Sequence, residues 1–93
     1  MTVSERLAEL RTRDFGDLHK LPPHSQERVL IDKKKAHLVV WHDVLPTGEH
    51  RIVVASYMPI WFGIADKVRA DGFAVNEKNE KRLLSEEELS PFR

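Results

Sequence analysis

The chain has 93 residues, of which 41% are hydrophobic, and it carries 15 basic and 15 acidic residues. This length predicts a single domain, residues 1–93, with one core. The zero formal net charge excludes a uniform attraction to nucleic acid or to an anionic membrane, and the absence of cysteine excludes disulfides and Cys-ligated zinc. The longest mostly apolar run, residues 52–65, is interrupted by Ser56 and Pro59 and is too short to span a bilayer. With no signal-like segment in residues 1–10, we expect a cytoplasmic protein that makes no membrane contact.

The amino-terminal third predicts one helix and one ambiguous segment. Ser4 suits a helix N-cap, the predicted helix runs over residues 5–13, and Gly16 ends it. Residues 17–26 contain two consecutive prolines, which favours an irregular connection. Residues 27–35 fit either a helix or a short strand that turns into the next one. Helix is slightly favoured, because a run of three apolar residues has no period that decides between the two.

Residues 36–57 predict a β-hairpin. Its two arms are rich in Val, Leu, Ile, Trp and Tyr, which suit a half-buried pleated surface. Pro46 fits the first corner of a three-residue loop, and Gly48 fits the left-handed position that closes it. Counting outward from this loop places Asp43 opposite Arg51, an opposite-charge pair that supports the register.

Both faces of this predicted hairpin are largely apolar. Alternation along each strand assigns the side chains to two sets. The first face carries Leu38, Val40, His42, Val44, His50, Ile52 and Val54. The second face carries Val39, Trp41, Asp43, Arg51, Val53, Ala55 and Tyr57. We therefore expect each face to be at least half covered, and the amino-terminal helix and a partner are equally good candidates to cover the second face.

The segment after the hairpin predicts another helix. Pro59 suits the start of a helix over residues 60–71, and Gly72 suits its left-handed cap. An apolar stripe would place this helix on the sheet, and it consists of Trp61, Ile64, Ala65 and Val68. Further along, Ser85 and Glu88 have the spacing of a capping box, which predicts a terminal helical turn.

The predicted fold class is α+β. It consists of a small antiparallel sheet built on the hairpin 36–57 and extended by strands near residues 73–75 and 82–84. The helix over residues 60–71 packs on one face of this sheet, and an N-terminal helix completes the domain.

Three segments resemble a family of small bacterial domains of unknown function. They are Tyr57–Gly63, Asp71-Gly72-Phe73 and Arg82–Leu89. That family has a hairpin, a helix begun by proline, an acidic-Gly-aromatic step and a Leu-Thr/Ser-x-Glu-Glu-Leu ending. The resemblance covers about residues 40–93 and implies this fold and a bacterial or phage origin. Since no activity is attached to the family, it implies no functional residues.

No catalytic or metal site is predicted. His42 and His50 share the first face, but no Asp or Glu of that face supplies a third ligand, and open metal sites normally use three protein ligands. Ser85 is explained as a helix cap, and the carboxylates of residues 86–88 suit a helix N-terminus. We therefore expect no enzyme activity, no cofactor and no metal.

Two binding functions remain, and both use the second face. The first is a non-catalytic protein-interaction module, either a homodimer or a small adaptor, inhibitor or immunity-type protein, because large apolar patches are rarely left bare. Its predicted partner-binding residues are Trp41, Arg51, Val53, Tyr57 and Phe62. The alternative is nucleotide or nucleic-acid binding through a basic run beside the aromatic face. The residues predicted for it are Lys33, Lys34, Lys35 and His37.

Overall fold

The computed structural model describes residues 3–31, 33–59 and 65–92. Five antiparallel strands form one sheet in chain order. They are β1 (His24–Ile31), β2 (Lys34–Val44), β3 (His50–Pro59), β4 (Ala65–Val75) and β5 (Lys81–Leu83). The described helices are α1 (Val3–Arg11), α2 (Phe15–Leu18) and α3 (Glu86–Leu89), and the 3₁₀ turn Ser90–Phe92 follows α3. None of the described helices has the length and apolar character needed to cross a membrane.

The β2–β3 hairpin has the predicted register. Asp43 lies opposite Arg51, and Trp41 lies opposite Val53. Gly48 has a φ of 89°, and its N–H donates to the carbonyl of Leu45 at 2.9 Å. The left-handed corner and the pairing counted from it are both confirmed.

The predicted α+β fold class is wrong, and the predicted helix over residues 60–71 is its main error. Residues 65–71 belong to β4, which pairs with β3 along its length, and residues 60–64 lie outside the described residues. A helix here would have left the outer backbone groups of β3 without the hydrogen bonds that β4 supplies. The fold is therefore dominated by its sheet, with short helices on both sides.

The amino-terminal predictions are correct for the first helix and wrong around it. α1 already includes Ser4 and ends at Arg11, so Ser4 is not the cap, and Gly16 lies within α2 instead of ending α1. The slight preference for helix over residues 27–35 is also wrong. That segment contains most of β1 and the start of β2, because pairing across the sheet overrides weak local preferences.

The first face of the sheet carries the larger core cluster. α1 packs on it through Val3, Leu7 and Leu10, and α2 adds Leu18. The buried sheet residues of this cluster come from three strands and are Leu38, Ile52, Val54, Phe73 and Val75. The amino-terminal helix therefore covers the first face. Of the two alternatives for covering the second face, the one that uses this helix is wrong.

The carboxyl-terminal segment covers part of the second face. Leu89 of α3 is buried against Val53 and Ala55 of β3, and Leu84 and Phe92 pack at the edge of this cluster. α3 begins with the predicted capping box, in which the Ser85 side chain accepts from the N–H of Glu88.

Gly72 does not cap a helix. It lies in β4 opposite Val53, and its φ is outside the left-handed region that Gly48 occupies. A Cβ at Gly72 would overlap the carbonyl oxygen of Ile52 and lie 3.0 Å from Cδ1 of Leu84. Glycine is needed here because two backbones and a side chain approach one another closely.

Candidate functional site

The chain itself uses two of the five predicted partner-binding residues. Val53 is fully buried beneath the carboxyl-terminal segment. Arg51 forms an ion pair with Asp43, donates to the carbonyl of Glu88 at 2.9 Å, and lies 4.8 Å from the ring centroid of Phe92. These two side chains hold the carboxyl terminus in place and are not available as anchors for a partner.

Trp41 and Tyr57 lie at the border of the covered region and are half-buried. Their rings meet edge to face, with centroids 6.2 Å apart. Phe92 contacts Trp41 from the carboxyl-terminal side, and His24 contacts it from the β1 side. The aromatic pair therefore separates the half of the second face that the carboxyl-terminal segment covers from a half that no described residue covers.

β1 supplies the polar side chains of the uncovered half. In its register with β2, His24 lies opposite Trp41, and Arg28 lies opposite His37. Opposite residues of an antiparallel pair share a face, so both β1 side chains lie on the second face with Trp41. Leu30 and Lys35, the next opposite pair on this face, are both exposed.

A shallow cavity of about 290 Å³ opens on this half of the sheet. It is lined by His24, Gln26, His37, Val39, Trp41 and Tyr57. A second depression, of about 460 Å³, adjoins it at His37 and includes Arg28 and Lys35. We name the side chains of this region the basic aromatic surface; they are His24, Gln26, Arg28, Lys35, His37, Trp41 and Tyr57.

Two polar groups of the surface have defined hydrogen-bonding roles. Nε2 of Gln26 lies 2.9 Å from Nδ1 of His37 and donates to it, because an amide nitrogen cannot accept. The neutral His37 ring therefore carries its own proton on Nε2, where it can donate to a ligand. Burial raises the pKa of the Tyr57 hydroxyl, which stays protonated and is also a donor.

The cations of the basic aromatic surface have no counter-charge among the described side chains. Four other arginines each contact a carboxylate, and they are Arg6, Arg13, Arg51 and Arg82. Arg28 and Lys35 are exposed and form no ion pair within the described part of the chain. Asp43, the carboxylate of β2 on this face, is paired with Arg51. The surface therefore presents positive charge that nothing in the described fold neutralises.

The structure places some residues from each of the two predicted binding sets on one surface. Trp41 and Tyr57 from the protein-partner set share one surface with Lys35 and His37 from the nucleic-acid set. Lys33 occupies a left-handed position, φ 65°, in the turn between β1 and β2 and is exposed. Lys34 begins β2, while its side chain and all of Phe62 lie outside the described residues.

His42 and His50 meet on the first face, as the register predicts. Their nearest ring nitrogens are 2.6 Å apart, so they bind each other directly. Within the described residues, no group of three or more His, Asp or Glu side chains is placed to hold a metal ion.

His24, Gln26 and Arg28 are the site residues that the sequence analysis missed. Had the strand alternative for residues 27–35 been chosen, counting from a turn over residues 32–35 would have put Arg28 on the second face. The observed register shifts the pairing by two residues and places Arg28 opposite His37.

Comparisons of the chain with protein-family models, with curated proteins and with solved structures found no match. The resemblance to the bacterial family of unknown function therefore stays a prediction.

Proposed function

We propose that the protein is a non-catalytic interaction module and that the basic aromatic surface is its binding surface. The observation that carries this proposal is the half-exposed pair Trp41 and Tyr57. Beside it lie Arg28 and Lys35, which form no ion pair with any described residue. Aromatic and arginine side chains are the groups that contribute most to binding energy at interfaces. A cytoplasmic location belongs to the same proposal, because the chain has no cysteine.

Two classes of partner fit a module of this kind. A protein partner, including a second copy of the chain, would use Trp41 and Tyr57 as its anchors. A nucleotide or nucleic acid is the second candidate, and the specific observation in its favour is that no described carboxylate pairs with Arg28 or Lys35.

Site-specific photo-cross-linking tests the binding surface without assuming the partner class. A benzophenone amino acid would replace Tyr57 in one variant and Leu83 in another, since Leu83 is 69% exposed on β5 and lies away from the surface. After irradiation in cells, we expect adducts at position 57 and none at position 83. Mass spectrometry would then identify each adduct as protein or nucleic acid. Equal labelling at both positions, or none at position 57, would contradict the proposal.

A further inference from the structure

Resting on the proposed function, we infer that the basic aromatic surface binds single-stranded nucleic acid. The inference names the class of partner, which the proposed function leaves open. It depends on the arrangement of charge, aromatic rings and hydrogen-bond donors on β1, β2 and β3.

The charge of the surface is complementary to a phosphate backbone. Arg28 of β1 and Lys35 of β2 stand on neighbouring strands and have no described carboxylate partner. His24 and His37 add nitrogen donors on the same face. From His24 to Leu30 the strand spans about 20 Å at the usual rise per residue, which is long enough to follow several nucleotides. Lysine is depleted at protein–protein interfaces, whereas lysine and arginine both contact the phosphates of nucleic acids.

The aromatic residues of the surface suit unpaired bases. Trp41 lies opposite His24, and Tyr57 lies opposite His37, which is itself opposite Arg28. Both rings line the cavity of about 290 Å³, so the aromatic side chains lie beside the basic ones. Bases stack on aromatic side chains with little dependence on sequence, because each base has a π face. Bases of a duplex are already stacked on their neighbours, and reading one in the major groove takes a projecting helix or β-ribbon. In its described part, this surface is a sheet face from which side chains project but no helix or β-ribbon does. This shape favours a single strand over a duplex.

Fluorescence anisotropy with labelled oligothymidylate and oligouridylate of about 12 nucleotides tests the inference. We expect binding at low salt that weakens as salt rises. Arg28→Gln and Lys35→Gln should each reduce the slope of log affinity against log salt by about 0.7, because each removes one phosphate contact. Lys78→Gln is the matched control, since Lys78 is exposed in the distant turn between β4 and β5 and should leave the slope unchanged.

Stacking is tested at Tyr57 in the same assay. Tyr57→Ala should weaken binding about 5- to 150-fold, the range found for the loss of one base–aromatic stack, while Tyr57→Phe should retain most of the affinity. Because Tyr57 is half-buried, circular dichroism would confirm that Tyr57→Ala is folded. The exposed Arg28→Gln variant gives a result that does not depend on this check.

Three results would overturn the inference. The first is that neither oligonucleotide shows salt-dependent binding. The second is that a duplex of the same length binds equally tightly. The third is that heparin binds equally well and Tyr57→Ala does not weaken oligonucleotide binding. If oligonucleotides fail while photo-cross-linking at position 57 captures a specific protein, the proposed function stands and the nucleic-acid inference is wrong. If both experiments fail, both are wrong.

Discussion

Nδ1 of His50 lies 2.6 Å from Nε2 of His42, and the two rings stack with centroids 4.9 Å apart. The other ring nitrogen of His42, Nδ1, lies 2.8 Å from the carbonyl of Leu21 and must donate to it, because a carbonyl only accepts. In the neutral pair, His50 therefore donates to His42. This chain of hydrogen bonds ties the β2–β3 hairpin to the segment that follows α2.

His50 makes the folded state sensitive to acid. Burial lowers the pKa of His50 from its ordinary value of 6.5, the neighbouring His42 and His19 lower it further, and Glu77 acts in the opposite direction. As pH falls through about 6.5, the unfolded chain takes up a proton at this position before the folded chain does. The free energy of unfolding should therefore fall as the pH decreases, and continue to fall until the folded chain also binds this proton.

Urea denaturation at about pH 7.5 and about pH 5 measures this loss. His50→Gln should show a smaller difference between the two midpoints than the wild type. His24→Gln is the control, since His24 is exposed on the other face of the sheet and should preserve the difference. A wild-type midpoint that rises toward low pH, or a His50→Gln variant with the full wild-type loss, would contradict the assignment.

Gly72→Ala should destabilise the protein by roughly 1–3 kcal/mol, the usual cost of forcing extra volume into a packed region. The added Cβ would overlap the carbonyl oxygen of Ile52 and press on Leu84, and the backbone of β3 cannot move without disturbing the sheet. Gly16→Ala is the matched control. Gly16 lies in α2, where the nearest atom to a new Cβ is Asp14 Oδ1 at 3.4 Å. Alanine there should be neutral or stabilising, because it has the higher helix propensity. Equal losses in the two variants would show that Gly72 has no special role.

Arg51→Met should destabilise the protein by about 2 kcal/mol, because it removes charge-assisted hydrogen bonds at a side chain that is only 14% exposed. It should also release α3, since Arg51 holds the carbonyl of Glu88. Hydrogen exchange at the Leu89 amide, which is bonded to the Ser85 carbonyl, reports that release. Arg82→Met is the control, because Arg82 pairs with Glu49 and Glu88 while 43% of its side chain is exposed. This substitution should lower the free energy of unfolding by less than Arg51→Met does. The opposite order of the two losses would refute this account of Arg51.

The hairpin could be predicted from the sequence because its determinants are local. Gly48 sets the left-handed corner, and the opposite-charge pair of Asp43 and Arg51 marks the register a few residues away. β4 could not be predicted in the same way. Its apolar residues also fit a helical stripe. The choice between helix and strand is decided by pairing with β3, and the local sequence of β4 does not specify that pairing.

The same distinction between local and long-range determinants applies to the residues of the candidate site. Trp41 and Tyr57 were predicted to share a face, since both belong to the hairpin. Arg28 was missed because its place depends on whether residues 27–35 pair with β2, and three apolar residues could not decide that. Likewise, the burial of Val53 follows from where the carboxyl terminus docks, which the capping box at its start does not specify.

Leu89→Ala tests whether the docked carboxyl terminus contributes to the core. Leu89 is 4% exposed and packs on Val53 and Ala55, so its truncation should cost about 2–3 kcal/mol in a urea titration. Leu83→Ala makes the same chemical change at a side chain that is 69% exposed on β5, and should cost about 0.5 kcal/mol or less. If Leu89→Ala unfolds at the wild-type urea concentration, α3 does not pack on the second face in solution. In that case Val53 would be exposed, and the boundary of the basic aromatic surface at Trp41 would have to be redrawn.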